Sequence, residues 1–161
     1  MSNELILRDV VEDDLAIFFE QELDQEANYM AAFIAKDPSD RAAFMAHWHK
    51  ILADEKVIIQ TIIFDGKVAG SVLSYEDERK LQVSYWIGRE YWGMGIATRA
   101  LSEFLANNNK IRPIYARVAK DNLGSRCVLK KSGFTIISES KAFANARGQE
   151  IIELLLEKDE E

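Results

Sequence analysis

The sequence predicts one α/β domain over residues 1–161, with a mixed central sheet of about seven strands and four helices, in the order β-α-α-β-β-β-α-β-α-β-β. Segments of helical periodicity alternate with short runs rich in β-branched residues, which is typical of such a fold. The chain has 161 residues and a hydrophobic content of 48%, enough for one sizeable core. Neither repeats nor a Pro/Gly/Ser-rich linker divide it, so we expect a single domain.

The first third of the chain predicts one strand and two helices. LILRDV (5–10) has the pattern of a strand, and DDLAIFFEQEL (13–23) follows as a helix whose acidic start suits the positive helix end. Residues 36–54 predict a second helix, with Asp37 as its cap and Pro38 at its first position.

The middle of the chain predicts three strands. VIIQTIIF (57–64) and KVAGSVLSY (67–75) flank Asp65 and Gly66, a dipeptide typical of a two-residue hairpin turn. LQVSYWI (81–87) follows as the third strand of this group.

The last part of the chain predicts two helices and three strands. A glycine-bearing loop leads into a helix with one apolar face, formed by Ile96, Ala100, Leu101, Phe104 and Leu105. PIYARVA (113–119) alternates as a strand should, and DNLGSRCVLKKSG (121–133) predicts a capped helix that Gly133 closes. FTIISES (134–140) and EIIELLLE (150–157) supply the last two strands.

Charge and composition exclude several classes of protein. A net charge of −7 and a pI near 5.0 argue against nucleic-acid binding, because phosphate neutralisation needs clustered Lys and Arg. No apolar run approaches the roughly 20 residues of a membrane span, and the start lacks a secretory signal. Cys127 has no second cysteine with which to form a disulfide. We therefore expect a cytoplasmic protein that binds neither nucleic acid nor membrane.

The stretch WGMGIATRAL (92–101) places two glycines at the mouth of a helix. A strand, a short loop and a helix start would present several backbone N–H groups at a positive helix end. Glycine at 93 and 95 lets a phosphate approach the backbone without meeting a Cβ, and Arg89 or Arg99 could add positive charge. The pattern predicts an anion site. The alternative is a plain strand-to-helix turn, since two glycines alone are weak evidence.

A second polar pattern opens the helix of residues 121–133. Asn122, Ser125 and Leu129 fall at i, i+3 and i+7 and therefore share one stripe. Two polar side chains thus point the same way at the mouth of a helix that follows a strand. The alternative is that Asn122 only caps the helix and Ser125 is solvated. The residues expected to face the core, with a buried and inert thiol among them, are Leu123, Cys127 and Val128.

Together the two segments YWIGREYWGMGIATRAL and VAKDNLGSRCVLKKSGF resemble the acetyl-CoA-binding motifs of the GNAT superfamily of N-acyltransferases. The resemblance spans residues 85–134 and is closest to the branch of the ribosomal-protein amino-terminal acetyltransferases. The predicted order of elements matches the family fold along nearly the whole chain. The resemblance is specific for the superfamily and not for the substrate.

The resemblance implies a role for particular residues. The loop that binds the coenzyme pyrophosphate through backbone amides corresponds to Gly93, Met94, Gly95, Ile96, Ala97 and Thr98. The strand that pairs with the pantetheine arm, and polarises the thioester carbonyl through one amide, corresponds to Trp86, Ile87 and Gly88. Asn122 matches the asparagine that contacts the pantetheine, and Ser125 takes part in the same site.

Two positions depart from the family pattern, Trp92 and Leu129. Many members have Gln or Arg at the position of Trp92, although tryptophan is familiar in the related branch. Leu129 stands where many members have a tyrosine that donates a proton, and leucine cannot do so. Ser125 matches a serine proposed for that role in the related branch, but the glutamate paired with it there falls on Ala144. The base is therefore unassigned, with Glu76 acting through a water or Tyr85 acting as a donor as open alternatives. We take Ser125 and Tyr85 as the candidate catalytic residues.

The sequence thus predicts an N-acetyltransferase that moves acetyl from acetyl-CoA to a primary amine, by direct attack on the thioester. A protein or peptide α-amine is favoured, because an α-amine is largely neutral near pH 7.4 and a lysine is not. The alternatives are a small amine, such as an amino acid, polyamine or aminoglycoside, and a non-catalytic acyl-CoA sensor. His47 and His49 lie on different faces of their helix, so no metal site is expected. A homodimer is implied by the resemblance alone.

Overall fold

A seven-stranded sheet runs through the computed structural model, which describes residues 4–159. Its strands are β1 (Leu5–Arg8), β2 (Ile58–Phe64), β3 (Lys67–Asp77), β4 (Lys80–Ile87), β5 (Ile114–Ala119), β6 (Thr135–Ala144) and β7 (Gln149–Lys158). The α-helices within this range are α1 (Glu12–Gln21), α2 (Gln25–Ala31), α3 (Arg41–Leu52), α4 (Ile96–Asn107) and α5 (Leu123–Lys131). A single 3₁₀ turn, Arg89–Tyr91, follows β4.

The sheet has the order β1-β2-β3-β4-β5-β7-β6. β4 and β5 are parallel to each other, while the other neighbouring strands are antiparallel, so the predicted mixed sheet is confirmed. The β2–β3 turn forms as predicted, with Asp65 at φ 52° and Gly66 at φ 79°. Positive φ at both central residues is the type I′ turn that matches the twist of the flanking strands.

The prediction of four helices was one short. α2 follows α1 after three residues, and the Asp24 side chain caps it by accepting from the Glu26 amide at 3.1 Å. The seven residues of α2 are too few for a clear period, and neither Gly nor Pro separates them from α1. A helix this short depends on tertiary contacts for its stability.

The start of α3 also differs from the prediction. Asp40 is its N-cap, and its side chain accepts from the Ala43 amide at 3.0 Å. Asp37 instead accepts from the amide and hydroxyl of Ser39, so Pro38 lies in the turn before the helix. Both aspartates have a suitable spacing, and the turn ahead of the helix decides between them.

The helices cover both faces of the sheet. The larger core lies between the sheet and α4, and Phe104 and Leu101 at its centre are fully buried. On the opposite face α1 and α3 pack over β2 and β3, where Leu15 and Phe18 meet Trp48. The site described below lies between these two layers, where the sheet itself opens.

Candidate active site

Strands β4 and β5 separate beyond a single shared position. Within the described residues they pair at Gln82 and Tyr115, yet β4 continues to Ile87 and β5 to Ala119. At about 3.3 Å per residue, the unpaired part of β4 is roughly 16 Å long. We call the opening between residues 83–87 and 116–119 the β4–β5 gap. Because the strands do not pair there, main-chain donors and acceptors of both are left without sheet partners.

The peptide groups of β4 alternate between β3 and the gap. The Gly88 amide donates to the Ala69 carbonyl on β3 at 2.9 Å. Along an antiparallel strand the N–H and C=O groups of successive residues point alternately to the two sides. Those of Trp86 therefore also point to β3, and those of Ile87 point into the gap. The Ile87 carbonyl accepts from the Trp92 indole at 2.9 Å. Of the three residues predicted to pair with the pantetheine arm, Trp86, Ile87 and Gly88, Ile87 is therefore the one whose amide points into the gap.

The loop at the end of β4 exposes a row of backbone amides. Gly93 has φ 80° and Gly95 has φ 73°, values that L side chains rarely adopt, and the space where a Cβ would project is open at both. No side chain caps α4, and its first turn carries no acidic residue. Across residues 4–159, no acceptor receives a hydrogen bond from the amides of 93–98. We call residues 93–98 the glycine loop, and its predicted pyrophosphate binding stays a prediction.

The two arginines expected to assist this loop are engaged elsewhere. Arg89 contacts Asp24 at 3.3 Å and Glu26 at 2.9 Å, so its guanidinium is directed to the start of α2. Arg99 lies over the Phe64 ring at 5.9 Å. The positive potential of the loop therefore comes from the main chain and the α4 dipole.

The candidate catalytic residues, Tyr85 and Ser125, contact each other. The Tyr85 hydroxyl lies 2.6 Å from the Ser125 hydroxyl, although 40 residues separate them in the chain. Burial raises the pKa of Tyr85 to about 12, and the hydrogen bond from Ser125 opposes this shift. Tyr85 is thus a neutral phenol near pH 7, able to donate a proton and unable to act as a base.

Asn122 joins this pair to α2. Its side-chain oxygen accepts from the Ser125 amide at 3.2 Å, and its nitrogen donates to the Met30 carbonyl at 3.2 Å. The alternative noted from the sequence, that Asn122 caps α5, is therefore correct for this oxygen. Capping does not exclude a ligand contact, since the amide nitrogen carries a second hydrogen.

The inward face of α5 differs from the predicted one. Leu129 is 2% exposed, and Ser125 shares its stripe as predicted. Leu123, however, is 68% exposed, and Cys127 is exposed as well, so the expected buried thiol was wrong. Val128 packs against the core as predicted, while the orientation of α5 leaves Leu123 and Cys127 outside.

A cleft of about 260 Å³ opens on the opposite side of the sheet, beside the end of β4. A Cβ at Gly88 would come within 2.9 Å of the Gln21 amide nitrogen, so Gln21 would have to shift if residue 88 were larger. Gln21 Oε1 and Trp86 Nε1 are buried polar atoms without a partner among residues 4–159. The residues that line the cleft are Ile17, Glu20, Gln21, Asp24, Gly88, Arg89 and Glu90.

A titratable group that follows Gln21 in the chain was missed in the sequence. Burial raises the pKa of the Glu22 carboxyl, at the end of α1, to about 7. No charge pattern marks this residue, because burial is what shifts its pKa. Glu76, the carboxylate considered from the sequence, lies opposite Leu81, six residues before Ile87 on β4 and thus about 20 Å away. Glu76 thus lies far from Ile87, and its role through a water stays a prediction.

The histidines lie outside this region. His49 contacts Glu12 at 3.0 Å on the surface. Within residues 4–159, no group of three or more His, Cys, Asp or Glu side chains is arranged to hold a metal ion. No helix in that range is long and apolar enough to cross a membrane.

A family model and a curated relative match this chain. Residues 4–135 match the model of the acetyltransferase (GNAT) domain. The curated protein "Putative ribosomal N-acetyltransferase YdaF" of Bacillus subtilis (strain 168) is 28% identical over 120 residues, which cover 68% of this chain. This chain spans 64% of that relative's length.

Solved structures share the fold. RimL, a ribosomal L7/L12 alpha-N-protein acetyltransferase in complex with coenzyme A, superposes with a TM-score of 0.79 at 18% identity, covering 99% of this chain and 96% of its own. The spermidine N-acetyltransferase of Vibrio cholerae, in complex with CoA and spermine, has a TM-score of 0.78 at 17% identity, covering 98% and 97%. The predicted fold is confirmed. Since the family model matches most of its residues, the chain belongs to the GNAT acetyltransferase family, whose members use acetyl-CoA.

Proposed function

We propose that this protein transfers the acetyl group of acetyl-CoA to a primary amine, and that the preferred acceptor is the α-amine of a protein or peptide. One observation carries the proposal: the unpaired end of β4 is followed, after one 3₁₀ turn, by a loop whose six amides have no acceptor among the described residues 4–159. A thioester arm and a pyrophosphate need these two features in this order. The β4–β5 gap and the cleft beside Gly88 open on opposite sides of the same strand end.

On the coenzyme side of the site, main-chain amides are the groups that would bind acetyl-CoA. Amides at a helix start stabilise an anion by about 0.3–1 kcal/mol each when exposed and up to ~2 kcal/mol when partly buried. The pantetheine arm would lie along β4 in the gap, in the manner of an added strand. The Ile87 amide is then the donor available to the thioester carbonyl, where negative charge develops during attack.

The acceptor side suits a cationic amine. Glu20, Asp24 and Glu90 line the cleft, and Arg89 is already paired with Asp24. Unpaired carboxylates raise the local concentration of an ammonium ion. The attacking nitrogen must nevertheless be neutral, and Glu22, which follows Gln21 in the chain and has a pKa of about 7, is the candidate to take up a proton.

In the reaction the amine nitrogen forms a bond to the thioester carbon, the carbon–sulfur bond breaks, and the nitrogen loses a proton. The departing thiolate must gain a proton, and the hydrogen-bonded Tyr85 and Ser125 are the candidate donors. Leu129, at the position where many family members carry a tyrosine, is buried and has no proton to give. The Tyr85–Ser125 pair thus supplies hydroxyl groups from β4 and from α5, four residues before Leu129.

An α-amine reacts with least help from a base. Neutralising a lysine at pH 7.4 costs roughly 4 kcal/mol, whereas an α-amine costs about half a kcal/mol. Small amines remain the alternative acceptors. The alternative that is not an enzyme is an acyl-CoA sensor, because the buried Leu129 cannot donate a proton.

Release of free CoA thiol in the presence of a panel of amines tests the proposal. We expect release with peptide amino termini at a kcat/KM at least tenfold above that with spermidine or single amino acids. A preference for small amines would replace the acceptor assignment and keep the chemistry. Tight acetyl-CoA binding with no thiol release would favour the sensor, and no binding at millimolar acetyl-CoA would overturn the whole proposal.

A further inference from the structure

An arginine at the tip of the last hairpin is almost completely buried. Arg147 lies in the turn between β6 and β7, yet its side chain is only 4% exposed. It contacts the Asp121 carboxylate through two nitrogens, at 2.7 and 2.9 Å. Its Nε donates to the Tyr29 carbonyl at 2.7 Å, and its guanidinium lies 4.0 Å from the Tyr29 ring centre. One side chain thus joins the hairpin, α2 and Asp121, which precedes the N-cap of α5.

Two neighbours of Arg147 contact the segment just after α2. The Asn145 side chain donates to the Ile34 carbonyl at 2.7 Å, and the Ala146 amide donates to the Ala32 carbonyl at 3.1 Å. We call Asn145, Ala146 and Arg147 the hairpin clasp. Since α2 has only seven residues, it has little stability of its own, and such contacts determine where it lies.

The contacts continue from the clasp to the candidate catalytic pair. Asp121, which Arg147 holds, precedes Asn122 in the chain. Asn122 donates to the Met30 carbonyl on α2 and accepts from the Ser125 amide. Ser125 in turn contacts Tyr85 in the gap. The clasp therefore fixes the distance between α2 and the N-terminus of α5.

We propose that Arg147 is a positioning residue that fixes α2, and with it the acceptor side of the site, against the mouth of α5. The proposal rests on the proposed function. Its basis is geometric: Asp24, the N-cap of α2, lines the cleft, and the other end of α2 lies under the clasp. The planar guanidinium meets a carboxylate, a carbonyl and a ring at once, which a lysine cannot reproduce. Within residues 4–159 no hydrogen bond or ion pair joins the clasp to the glycine loop, so the expected pyrophosphate contacts, unlike the pantetheine contact of Asn122, should be independent of it.

The test compares Arg147→Met with Arg147→Lys. We expect Arg147→Met to raise the acceptor KM about tenfold while the Kd for acetyl-CoA stays within twofold of wild type. Arg147→Lys keeps the charge and should restore part of the loss. Amide hydrogen exchange in residues 25–31 should become about tenfold faster in Arg147→Met, because α2 loses its anchor.

Arg112→Met is the matched control. The Arg112 guanidinium also donates to main-chain carbonyls, those of Asn109 and Leu105, both at 3.0 Å, but it lies outside the gap and its described partners do not include α2. This variant should leave the acceptor KM unchanged even where it lowers the melting temperature. If Arg147→Met does not fold, Asp121→Asn replaces it, with an expected rise of about threefold in acceptor KM.

An acceptor KM that stays at the wild-type value in folded Arg147→Met would overturn the positioning role and leave the proposed function intact. An equal rise in Arg112→Met would also overturn it, because the effect would then be general destabilisation. Wild-type protein that releases no thiol with any amine would instead overturn the proposed function, and this inference with it.

Discussion

The glycine loop and the Tyr85–Ser125 pair border the same gap but are built in different ways. The loop consists of main-chain amides from six consecutive residues, positioned by two positive φ angles. The pair consists of two side chains from a strand and a helix, and Asn122 ties it to a third element, α2. The proposed anion binding would thus depend on local backbone geometry, whereas the proposed proton transfer would depend on how three distant segments pack.

This difference determines which substitutions each region tolerates. Side chains can vary in the loop as long as glycine occupies the two positive-φ positions, because the donors belong to the backbone. In the pair, the loss of a single hydroxyl removes the contact. Substitutions that separate backbone from side-chain contributions therefore test the comparison directly.

The largest effect is expected from Gly95→Glu, which places a carboxylate in the open space over the glycine loop. We expect the affinity for acetyl-CoA, measured by calorimetry, to fall at least a hundredfold. Gly66→Glu is the control, because Gly66 has a similar φ of 79° and open space but lies in the β2–β3 turn. Micromolar affinity in Gly95→Glu would contradict the assignment of the loop.

The next effect is expected from Ser125→Ala and Tyr85→Phe, which remove the two partners of one hydrogen bond. Each should lower kcat by about 10- to 100-fold, within the range that proton transfer contributes to catalysis, with coenzyme affinity nearly unchanged. The double variant should be no slower than the worse single variant, because the two hydroxyls act as a unit. Additive losses would assign them separate roles, and unchanged turnover in Ser125→Ala would remove Ser125 from the mechanism.

The smallest effect is expected from Glu22→Gln, measured as the free energy of unfolding against pH. Burial raises the pKa of Glu22 to about 7 in the folded protein, so its ionisation destabilises the fold as pH rises from about 4.5 to 7. The variant lacks this loss and should be more stable than wild type by about 1–2 kcal/mol at pH 8, with almost no difference near pH 4.5. An equal difference at both pH values would show that ionisation of Glu22 is not the cause.

Asp14→Asn should respond to pH in the opposite direction. Burial of Asp14 pushes its pKa up, but hydrogen bonds from Arg8, the Val11 amide and Thr61 outweigh burial and leave the pKa lowered. Its charge therefore stabilises the fold above the unfolded pKa, and the substitution should destabilise the protein at pH 8. For both variants and wild type, the free energy of unfolding is measured by urea titration at the same two pH values.

Much of the fold could be predicted because its signals are local. The Asp65-Gly66 turn and Gly133 at the end of α5 were read from single residues whose φ angles are positive in the structure. α2 could not be predicted, because seven residues show too little periodicity and tertiary contacts hold them. Cys127 and Leu123 were wrongly placed in the core, since helical spacing fixes which residues share a face but not which face turns inward.

The sequence alone determined the order of the strands and of the helices other than α2, the resemblance to the family, and the loop with glycines at its two positive-φ positions. These features depend on backbone geometry within a few consecutive residues. The tertiary structure alone decided that β4 leaves β5 after Gln82, that Tyr85 meets Ser125 and that burial shifts the pKa of Glu22. Each of these depends on the distance and burial of groups far apart in the chain, and no short stretch of sequence specifies them.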